Sequence, residues 1–324
     1  MRALLPFESS RPQPCLGEVP DPVPGAGEVL VEVRATALNR ADLLQMKGLY
    51  PPPAGESAVP GLECAGIVLG VGEATRSWLV GERVMALLAG GGHAERVVVP
   101  EGQLMAIPET LSFEQAAALP EAFLTAWTNL VVEGGLAAGE TVLVTAAASG
   151  IGTMVCQMAR ELGARVIAAG RSLERLEPLR DLGASHLVEL GSELPAAVRA
   201  ATGGRGADLV FDMVGGPQFV EHVAALAPRG RLILIGLLAG ARAEIPLDLV
   251  LTRRLRILGS VLRPRSRGEK ADLVAGFAAW GLPRLADGRL RPVVDRVLPF
   301  EQLPDAYRQM AEGGATGKIV VRVR

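Results

Sequence analysis

The spacing of apolar and polar residues divides the chain into three parts. In the first part, short apolar or alternating runs predict β-strands at Glu28–Ala37, Cys64–Val71, Arg83–Leu88 and Ala94–Val99. Gly- and Pro-rich turns separate these runs, and the proline-rich stretch between Tyr50 and Pro60 predicts a loop. The first part is therefore predicted to be rich in β structure.

From about Ser112 the pattern changes to helical segments that alternate with continuous apolar runs. Apolar residues recur at helical spacing over 112–132. The later runs predict buried strands at Thr141–Ala146, Arg165–Ala169, Ala207–Val214, Arg231–Gly236 and Leu255–Leu262. Such an alternation is typical of an α/β fold with a doubly wound parallel sheet. Pro178 interrupts the helix expected after Ser172, so that helix is predicted to begin nearer Glu177 or to kink.

The third part again contains short runs that predict β-strands, as the first part does. After an Arg- and Pro-rich stretch at 263–268, the pattern predicts a helix over Glu269–Trp280 and strands at Val293–Leu298 and Lys318–Val323. We therefore expect this tail to dock on the first part. The expected architecture is a β-rich domain made from both ends of the chain, with a doubly wound domain inserted between them.

Composition and charge narrow the class of protein. Hydrophobic residues make up 49 % and charged residues 21 % of the 324 residues, which is typical of a soluble chain of two domains. The formal net charge of −2 provides no overall attraction to nucleic acid or to anionic membranes. No window approaches the ~20 apolar residues of a membrane span, and Pro6 and Glu8 interrupt the apolar start. We predict neither a membrane span nor a signal peptide.

The cysteines predict a reducing environment. The three of them, Cys15, Cys64 and Cys156, are few and far apart along the chain. This spacing argues against a disulfide framework. We therefore predict a cytoplasmic location.

A loop of small residues joins the first strand of the doubly wound sheet to a helix. The strand over Thr141–Ala146 is followed by the sequence AASGIG at 147–152, and Ile151–Leu162 has helical spacing. Small residues let backbone amides approach a pyrophosphate, and the helix N-terminus provides the positive end of its dipole. Small residues also allow close packing of strand and helix, but the second strand at 165–169 favours a dinucleotide site.

The end of that second strand favours NADPH over NADH. NAD sites place an Asp or Glu there to bind the ribose 2′-hydroxyl. Here the chain continues as Gly170-Arg171-Ser172, with Arg175 close behind. Arginine suits a 2′-phosphate because its guanidinium forms charged, forked hydrogen bonds. The alternative is a solvated surface arginine in a chain rich in arginine.

Several stretches along the whole chain resemble the zinc-free quinone oxidoreductase branch of the medium-chain dehydrogenase/reductase superfamily. They are NRADLLQMKGLYPPP from Asn39, GLECAGIV from Gly61, ALPEAFLTAW from Ala118, AASGIG from Ala147, FDMVGG from Phe211 and GKIVV from Gly317. The resemblance implies a Rossmann NADPH-binding domain inserted between two parts of a GroES-like catalytic domain. We place the catalytic domain at 1–113 and 263–324 and the NADPH-binding domain at 114–262. The family also implies a homodimer or homotetramer.

The zinc-dependent relatives carry ligands that this chain lacks. They have a cysteine at the position of Asn39, a histidine at the position of Leu62 and a lobe of closely spaced cysteines. Cys64 is a single thiol near the lost site, and the histidines show no ligand spacing. His93 is interpreted as a loop or strand-edge residue. We therefore predict a zinc-independent enzyme, which favours quinones and enones because their reduction delocalises the negative charge.

The resemblance also assigns roles to individual residues. Asn39 and Tyr50 are the expected catalytic residues, and Asn39 and Thr125 are the expected contacts of the nicotinamide. The structural alternatives are a turn-capping role for Asn39 and packing of Tyr50 on the adjacent prolines. Leu44 stands where some members have a second tyrosine. The other expected cofactor-binding residues are Ser149, Gly150, Ile151 and Gly152 at the pyrophosphate, Gly170, Arg171, Ser172 and Arg175 at the adenosine phosphate, and Met213, Val214, Gly215, Gly236, Ser260 and Arg263 at the carboxyl edge of the sheet.

The expected activity is hydride transfer from NADPH to a quinone without a metal. No motif ranks quinones against alkenals or other α,β-unsaturated carbonyls, whose reduction is the alternative activity. A hypothesis of another class is an NADPH-responsive nucleic-acid-binding or structural protein, because the basic cluster over 253–267 can engage phosphates. Aromatic residues for base stacking make up only 4 % of the chain, which disfavours it.

The expected mechanism relies on orientation. The sequence offers no strong general acid beside the expected site, so we predict that the protein contributes mainly proximity and orientation. Asn39 is expected to orient the nicotinamide or a quinone carbonyl, and Tyr50 is expected to form a wall of the pocket.

Overall fold

In the computed structural model, which describes residues 1–8, 13–191 and 193–324, the strands are β1 (Arg2–Leu4), β2 (Leu16–Glu18), β3 (Glu28–Ala37), β4 (Glu63–Val71), β5 (Arg83–Leu87), β6 (Arg96–Pro100), β7 (Leu104–Ala106), β8 (Thr141–Val144), β9 (Arg165–Gly170), β10 (Ala184–Glu189), β11 (Ala207–Asp212), β12 (Leu226–Leu234), β13 (Arg256–Gly259), β14 (Val294–Pro299) and β15 (Lys318–Arg322). The α-helices are α1 (Arg40–Gln45), α2 (Phe113–Ala117), α3 (Pro120–Trp127), α4 (Gly150–Glu161), α5 (Leu173–Leu176), α6 (Leu194–Ala201), α7 (Phe219–Ala224), α8 (Leu247–Arg253), α9 (Arg267–Ala286) and α10 (Leu303–Glu312). Short 3-10 helices cover Glu101–Gln103, Glu177–Arg180, Gly216–Gln218 and Phe300–Gln302, and a π-helical turn covers Thr128–Val132.

These elements form two compact units. Unit 1 comprises Met1–Leu124 and Leu262–Arg324, and unit 2 comprises Thr125–Val261. The first division therefore falls inside α3, whereas the sequence placed it after residue 113. The reason is local: α2 packs against β3 and β4 and so belongs with unit 1. No helix in the described ranges is both long enough and apolar enough to cross a membrane.

Unit 1 is built on a mostly antiparallel sheet. Within the described residues it has seven strands, in the order β14-β15-β3-β4-β5-β7, with β6 pairing β3. The expected docking of the tail is confirmed, because β15 pairs antiparallel with β3, with Val320 opposite Ala37. Its core is formed by buried aliphatic residues that alternate along the strands, such as Val29, Val31 and Val33.

Unit 2 is built on a parallel sheet. Its order in the described chain is β10-β9-β8-β11-β12-β13, and every neighbouring pair is parallel. This is the strand order of a doubly wound dinucleotide-binding fold. All residues of β8 and β11 are buried, as expected for strands covered on both faces. The predicted fold class is thus confirmed.

Some local predictions were wrong, and proline explains two of them. The helical pattern over 112–132 divides into α2, α3 and the π-helical turn, and Pro120 begins α3 because a proline is tolerated where no N–H is needed. The helix after Ser172 neither starts near Glu177 nor kinks there. Instead α5 ends at Leu176, and Pro178 lies in the first turn of the 3-10 helix that follows.

Candidate active site

The loop after β8 has the local geometry of a phosphate-binding turn. The chain reverses through Ala146, whose φ of 46° is unusual for a residue with a side chain. Ser149 then caps the 12-residue helix α4, because its Oγ accepts the Gly152 N–H at 3.1 Å. A Cβ on Gly152 would lie 2.4 Å from the Ala147 carbonyl oxygen, so only glycine fits. Ser149, Gly150 and Ile151 are only half-buried, which leaves the amino end of α4 accessible to an anion.

The end of β9 carries the predicted adenosine-phosphate residues. Gly170 is the last residue of β9 and lies close to Leu176, since a Cβ there would be 3.0 Å from a Leu176 methyl group. Arg171 is exposed, and Ser172 precedes α5 as its N-cap residue. Arg175 is half-buried in the last turn of α5. The first carboxylate after the strand is Glu174, inside α5.

The remaining strands of unit 2 end at the same edge of its sheet. Met213, Val214 and Gly215 follow β11, Gly236 follows β12, and Ser260 follows β13. The parallel register aligns these ends, because Asp212 pairs with Leu234 and Leu234 with Gly259. The structure therefore brings together all predicted unit 2 residues that follow strands of the sheet. Thr125 does not follow a strand: it lies in the last turn of α3, where its carbonyl accepts from Asn129 Nδ2 at 2.8 Å.

Asp212 organises the loop after β11, a role that sequence reasoning missed. Its Oδ1 accepts the backbone N–H groups of Val214 at 2.8 Å and Gly215 at 3.2 Å, and the hydroxyl of Thr145 at 3.2 Å. Its Oδ2 lies 3.0 Å from His222 Nδ1, and both residues are fully buried. Burial opposes ionisation, but the hydrogen bond and charge of His222 and the two N–H groups hold the pKa of Asp212 below its ordinary value. The carboxylate thus fixes the path of this loop.

In unit 1, Asn39 belongs to a buried polar cluster. Its Nδ2 donates to Glu63 Oε1 at 2.9 Å, and its Oδ1 accepts from Lys318 Nζ at 2.6 Å. Its backbone N–H donates to Asp42 Oδ2 at 2.7 Å at the start of α1. Asn39 and Asp42 thus form a capping box at the amino end of α1. The Asn39 amide is oriented by its charged partners Glu63 and Lys318, and its Nδ2 also lies 3.5 Å from the Ala37 carbonyl oxygen.

Glu63 and Lys318 form the charged centre of this cluster. Lys318 Nζ lies 2.6 Å from Glu63 Oε1, and the two side chains are 3 % and 0 % exposed. Lys318 also donates to the Leu38 carbonyl at 2.9 Å, and Glu63 Oε2 accepts the Glu121 N–H at 2.9 Å. Such a pair is stable in a protein interior only when its other hydrogen-bonding positions are satisfied, as they are here. The sequence showed both residues inside family stretches but gave them no role.

Tyr50 and Arg263 also lie together in unit 1. The Arg263 side chain is buried and donates to the carbonyl oxygens of Ala89 at 2.7 Å and Tyr50 at 2.9 Å, and to Gln45 Oε1 at 2.6 Å. Its guanidinium carbon is 5.2 Å from the centre of the Tyr50 ring. Arg263 thus holds the Tyr50 loop through these hydrogen bonds, and its place among the cofactor-binding residues at the carboxyl edge stays a prediction. Tyr50 itself is half-buried.

Several acidic or basic side chains here have displaced pKa values. Burial, and next the charge of Glu63, raises the pKa of Glu121 to about 8. Burial raises the pKa of Asp42 to about 6, although the N–H groups of Asn39 and Gly61 and the charge of Lys318 oppose this. His93 is a loop residue, as interpreted, but it is fully buried against Tyr307, and burial lowers its pKa to about 4. The sequence signal that could have identified Glu121 is a lone carboxylate in the apolar stretch ALPEAFLTAW.

Among the side chains that the structure describes, no three of the types His, Cys, Asp and Glu are grouped so that they could hold a metal ion.

Comparison with known proteins agrees with this fold. Residues 25–109 match the family model of the alcohol dehydrogenase GroES-like domain, and residues 150–276 match that of the zinc-binding dehydrogenases. Quinone oxidoreductase-like protein 2 of Bos taurus is 33 % identical over 325 residues, covering 100 % of this chain and 93 % of that protein. The quinone oxidoreductase of Thermus thermophilus, solved with NADPH, is 38 % identical with a TM-score of 0.85 and 100 % coverage of both chains. An NAD-dependent alcohol dehydrogenase is 34 % identical with a TM-score of 0.88, again with 100 % coverage of both chains.

A GroES-like unit and a parallel Rossmann unit with a glycine-containing phosphate loop define an oxidoreductase of the medium-chain dehydrogenase/reductase superfamily. Within that superfamily, the chain belongs to the zinc-free quinone oxidoreductase branch.

Proposed function

We propose that this protein reduces a quinone with NADPH as the hydride donor. The observation that carries the proposal is the carboxyl edge of the unit 2 sheet, where the amino end of α4 and the exposed Arg171 follow neighbouring strands. An anion-binding helix end beside an arginine suits a dinucleotide with a 2′-phosphate. The complex of the Thermus relative with NADPH supports this choice, whereas the NAD-dependent relative makes the cofactor a matter for experiment.

The residues of unit 2 fit this cofactor in shape as well as in charge. A Cβ on Gly152 would lie 2.4 Å from a backbone carbonyl oxygen, and one on Gly236 would lie 2.7 Å from another. Glycine at both positions lets neighbouring backbone segments approach each other and leaves no side chain in the way of the cofactor. Ser149–Gly152 would hold the pyrophosphate, and Gly170, Arg171, Ser172 and Arg175 would hold the adenosine phosphate. Met213–Gly215, Gly236 and Ser260 would line the rest of the edge, and Thr125 would contact the nicotinamide. NADPH bound there supplies a hydride.

Unit 1 would supply the groups that handle the substrate. Asn39 presents an amide whose orientation is fixed by Glu63 and Lys318, so it would orient a carbonyl without reorganisation. Arg263 contacts the Tyr50 ring and donates to the Tyr50 carbonyl, so Tyr50 would form a fixed wall of the pocket against the flat quinone ring. Leu62 is 1 % exposed and buried in the core at the position where zinc-dependent relatives have a ligand. We therefore propose a zinc-independent reaction, for which quinones suit best because they delocalise the charge formed.

We also propose that the protein is a cytoplasmic homo-oligomer, a dimer or tetramer. The strand β13 lies at the edge of the unit 2 sheet and carries the exposed residue Ile257, with Val261 exposed just beyond it. An uncovered apolar edge invites pairing with a second copy. Cys15, Cys64 and Cys156 are free, which fits a reducing compartment.

The test of the activity is a screen of NADPH oxidation with quinones and α,β-unsaturated carbonyls as acceptors. We expect turnover with quinones that is faster with NADPH than with NADH. Faster turnover of alkenals or other enones would assign the protein to the alternative activity. NADPH binding without turnover of either class would refute both and favour the binding-protein hypothesis.

A further inference from the structure

We propose that Glu121 is a catalytic residue that donates the proton completing the reduction. This inference rests on the proposed function and replaces the expectation that the site has no general acid. Its basis is the position of Glu121 within the cluster of Asn39, Glu63 and Lys318, together with its partial exposure at the start of α3.

The position of Glu121 is fixed by the same carboxylate that orients Asn39. The Glu121 N–H donates to Glu63 Oε2 at 2.9 Å, while the Asn39 amide donates to Glu63 Oε1 at 2.9 Å. The buried side chain of Glu63 therefore anchors both residues, and Lys318 Nζ lies 2.6 Å from its Oε1. A group that positions a carbonyl and a group that protonates it must lie near each other, and the shared anchor holds the Glu121 backbone next to the Asn39 amide.

The charges around Glu121 keep it protonated while its neighbour remains paired. The Lys318 ammonium forms its ion pair with Glu63. Its charge lowers the pKa of Glu121 by less than burial and the charge of Glu63 raise it. Burial raises the pKa of Glu121 most, the charges of Glu63 and Asp42 raise it further, and Lys318 and Lys270 oppose them, with a result of about 8. Arg263 and Tyr50 also lie near enough to interact with its charge.

Other groups in unit 1 are less suited to donate the proton. Burial, and next the charge of Glu121, raises the pKa of Tyr50 above its ordinary value, so the phenol is a weaker acid than usual. Asp42 is fully buried and uses both carboxyl oxygens to accept N–H groups of Asn39 and Gly61. His93 is fully buried against Tyr307, with a pKa lowered by burial to about 4. Glu121 alone among these carboxyl and imidazole groups is both protonated near neutrality and partly exposed.

The proposed step balances as follows. Reduction adds a hydride, with its electron pair, to the quinone and leaves negative charge on a carbonyl oxygen. The O–H bond of the Glu121 carboxyl breaks as an O–H bond forms on that oxygen. The product is a hydroquinone, the oxidised cofactor is NADP⁺, and the Glu121 carboxylate recovers a proton from water.

A first experiment tests the protonated carboxyl without cofactor or substrate. Infrared difference spectra between pH 6 and pH 10 should show a buried carboxylic acid that titrates near pH 8 in the wild type and is missing in Glu121→Gln. Glu114→Gln is the control, since Glu114 pairs with Arg322 on the exposed side of unit 1 and should leave that band in place. A band that persists in Glu121→Gln overturns the inference, whatever the activity of the protein.

A second experiment tests the proton transfer itself. In the wild type, kcat for quinone reduction should fall as pH rises through about 8, because the donor loses its proton. Glu121→Gln should lower kcat by about 100-fold or more, remove this pH dependence and leave the Kd for NADPH unchanged. Tyr50→Phe should lower kcat by less than ~10-fold, as expected of a residue that only forms a wall of the pocket. An unchanged pH profile in Glu121→Gln would reject Glu121 as the donor, whereas a wild type that binds NADPH but reduces no acceptor would reject the proposed function instead.

Discussion

Arg171 is the residue on which the proposed cofactor preference depends. It is exposed immediately after β9, where a 2′-phosphate would gain a charged hydrogen bond worth ~1.5–3 kcal/mol. Arg171→Ala should therefore raise the KM for NADPH at least about tenfold and leave the KM for NADH nearly unchanged. Steady-state kinetics with both cofactors would measure this. Arg165→Ala, at the exposed start of the same strand, is the matched control. Equal effects of Arg171→Ala on both cofactors would show that Arg171 does not select NADPH, and Arg175 would then be the next candidate.

Glu121 also gives stability an unusual dependence on pH. Its pKa rises on folding from an ordinary 4.5 to about 8, so the folded protein binds this proton more tightly than the unfolded chain. The free energy of unfolding should therefore decrease as pH rises from about 4.5 to 8. Glu121→Gln lacks this loss, so its Tm should exceed that of the wild type at pH 8 and approach it near pH 4.5.

Thermal unfolding measured at several pH values would check this prediction. Glu114 is a control of opposite sign: burial opposes, but its hydrogen bonds, including one from Arg322, lower its pKa. Glu114→Gln should thus be less stable than the wild type by a constant amount above about pH 4.5, and this difference should shrink as pH falls below 4.5. A Tm difference between wild type and Glu121→Gln that does not vary with pH would contradict the raised pKa.

The buried polar cluster around Asn39 illustrates which features of the site could not be predicted from the sequence alone. Asn39 was identified from a local stretch, but its partner Lys318 is 279 residues away. The displaced pKa of Glu121 arises from burial beside Glu63, which depends on how α3 packs against β4, and no motif encodes that packing. By contrast, the small residues at 147–152 act on neighbours in the chain, so their pattern could be interpreted directly.

At the scale of elements, the phosphate loop depends on the close approach of α4 to β8. Gly152→Ala would place a Cβ 2.4 Å from the Ala147 carbonyl oxygen, which forces the start of α4 outward. We expect Kd for NADPH to rise at least about tenfold and Tm to fall, since both loop and helix must shift. Calorimetric titration and thermal melts would measure these effects. Gly268→Ala, in α9 with no atom within 4 Å of the added Cβ, should leave the Kd unchanged and should not lower the Tm.

The elements predicted well are those whose pattern does not depend on distant contacts. The strand over Glu28–Ala37 was predicted with the bounds that β3 has, because buried and half-buried residues alternate from Glu28 to Ala35. The edge strand β10 was missed because its residues Ala184–Glu189 are half-exposed and mix polar with apolar side chains. The helix α10 was not predicted either, and it begins with Pro304 in its first turn, where proline is tolerated.

At the scale of the whole molecule, zinc independence should hold for the purified protein. Neither Asn39, which is bound to Glu63 and Lys318, nor the buried Leu62 can replace the missing ligands. We expect elemental analysis to find no stoichiometric zinc and activity to be unchanged after incubation with a chelator. One tightly held zinc per chain, lost together with activity, would be the opposite result.

Assembly is the second property of the whole molecule to be tested. If a second copy covers β13, sedimentation at micromolar concentration should give a mass of two or four chains. Ile257→Lys should shift this mass toward one chain because a charge at a paired apolar edge is costly to bury. Leu79→Lys, at an exposed site of unit 1, is the control. A single-chain mass for the wild type would disprove the proposed assembly.

The bond between Lys318 and Asn39 has a consequence for the order of events during synthesis. The ribosome makes all of Thr125–Val261 before Lys318, so unit 2 can fold while β3 still lacks its neighbour β15. Until then, Glu63 has no counter-ion, and a buried unpaired carboxylate is too costly to form. The catalytic half of the enzyme is therefore completed last, when the tail returns across 279 residues. A nascent chain stalled before Lys318 should bind NADPH yet lack reductase activity.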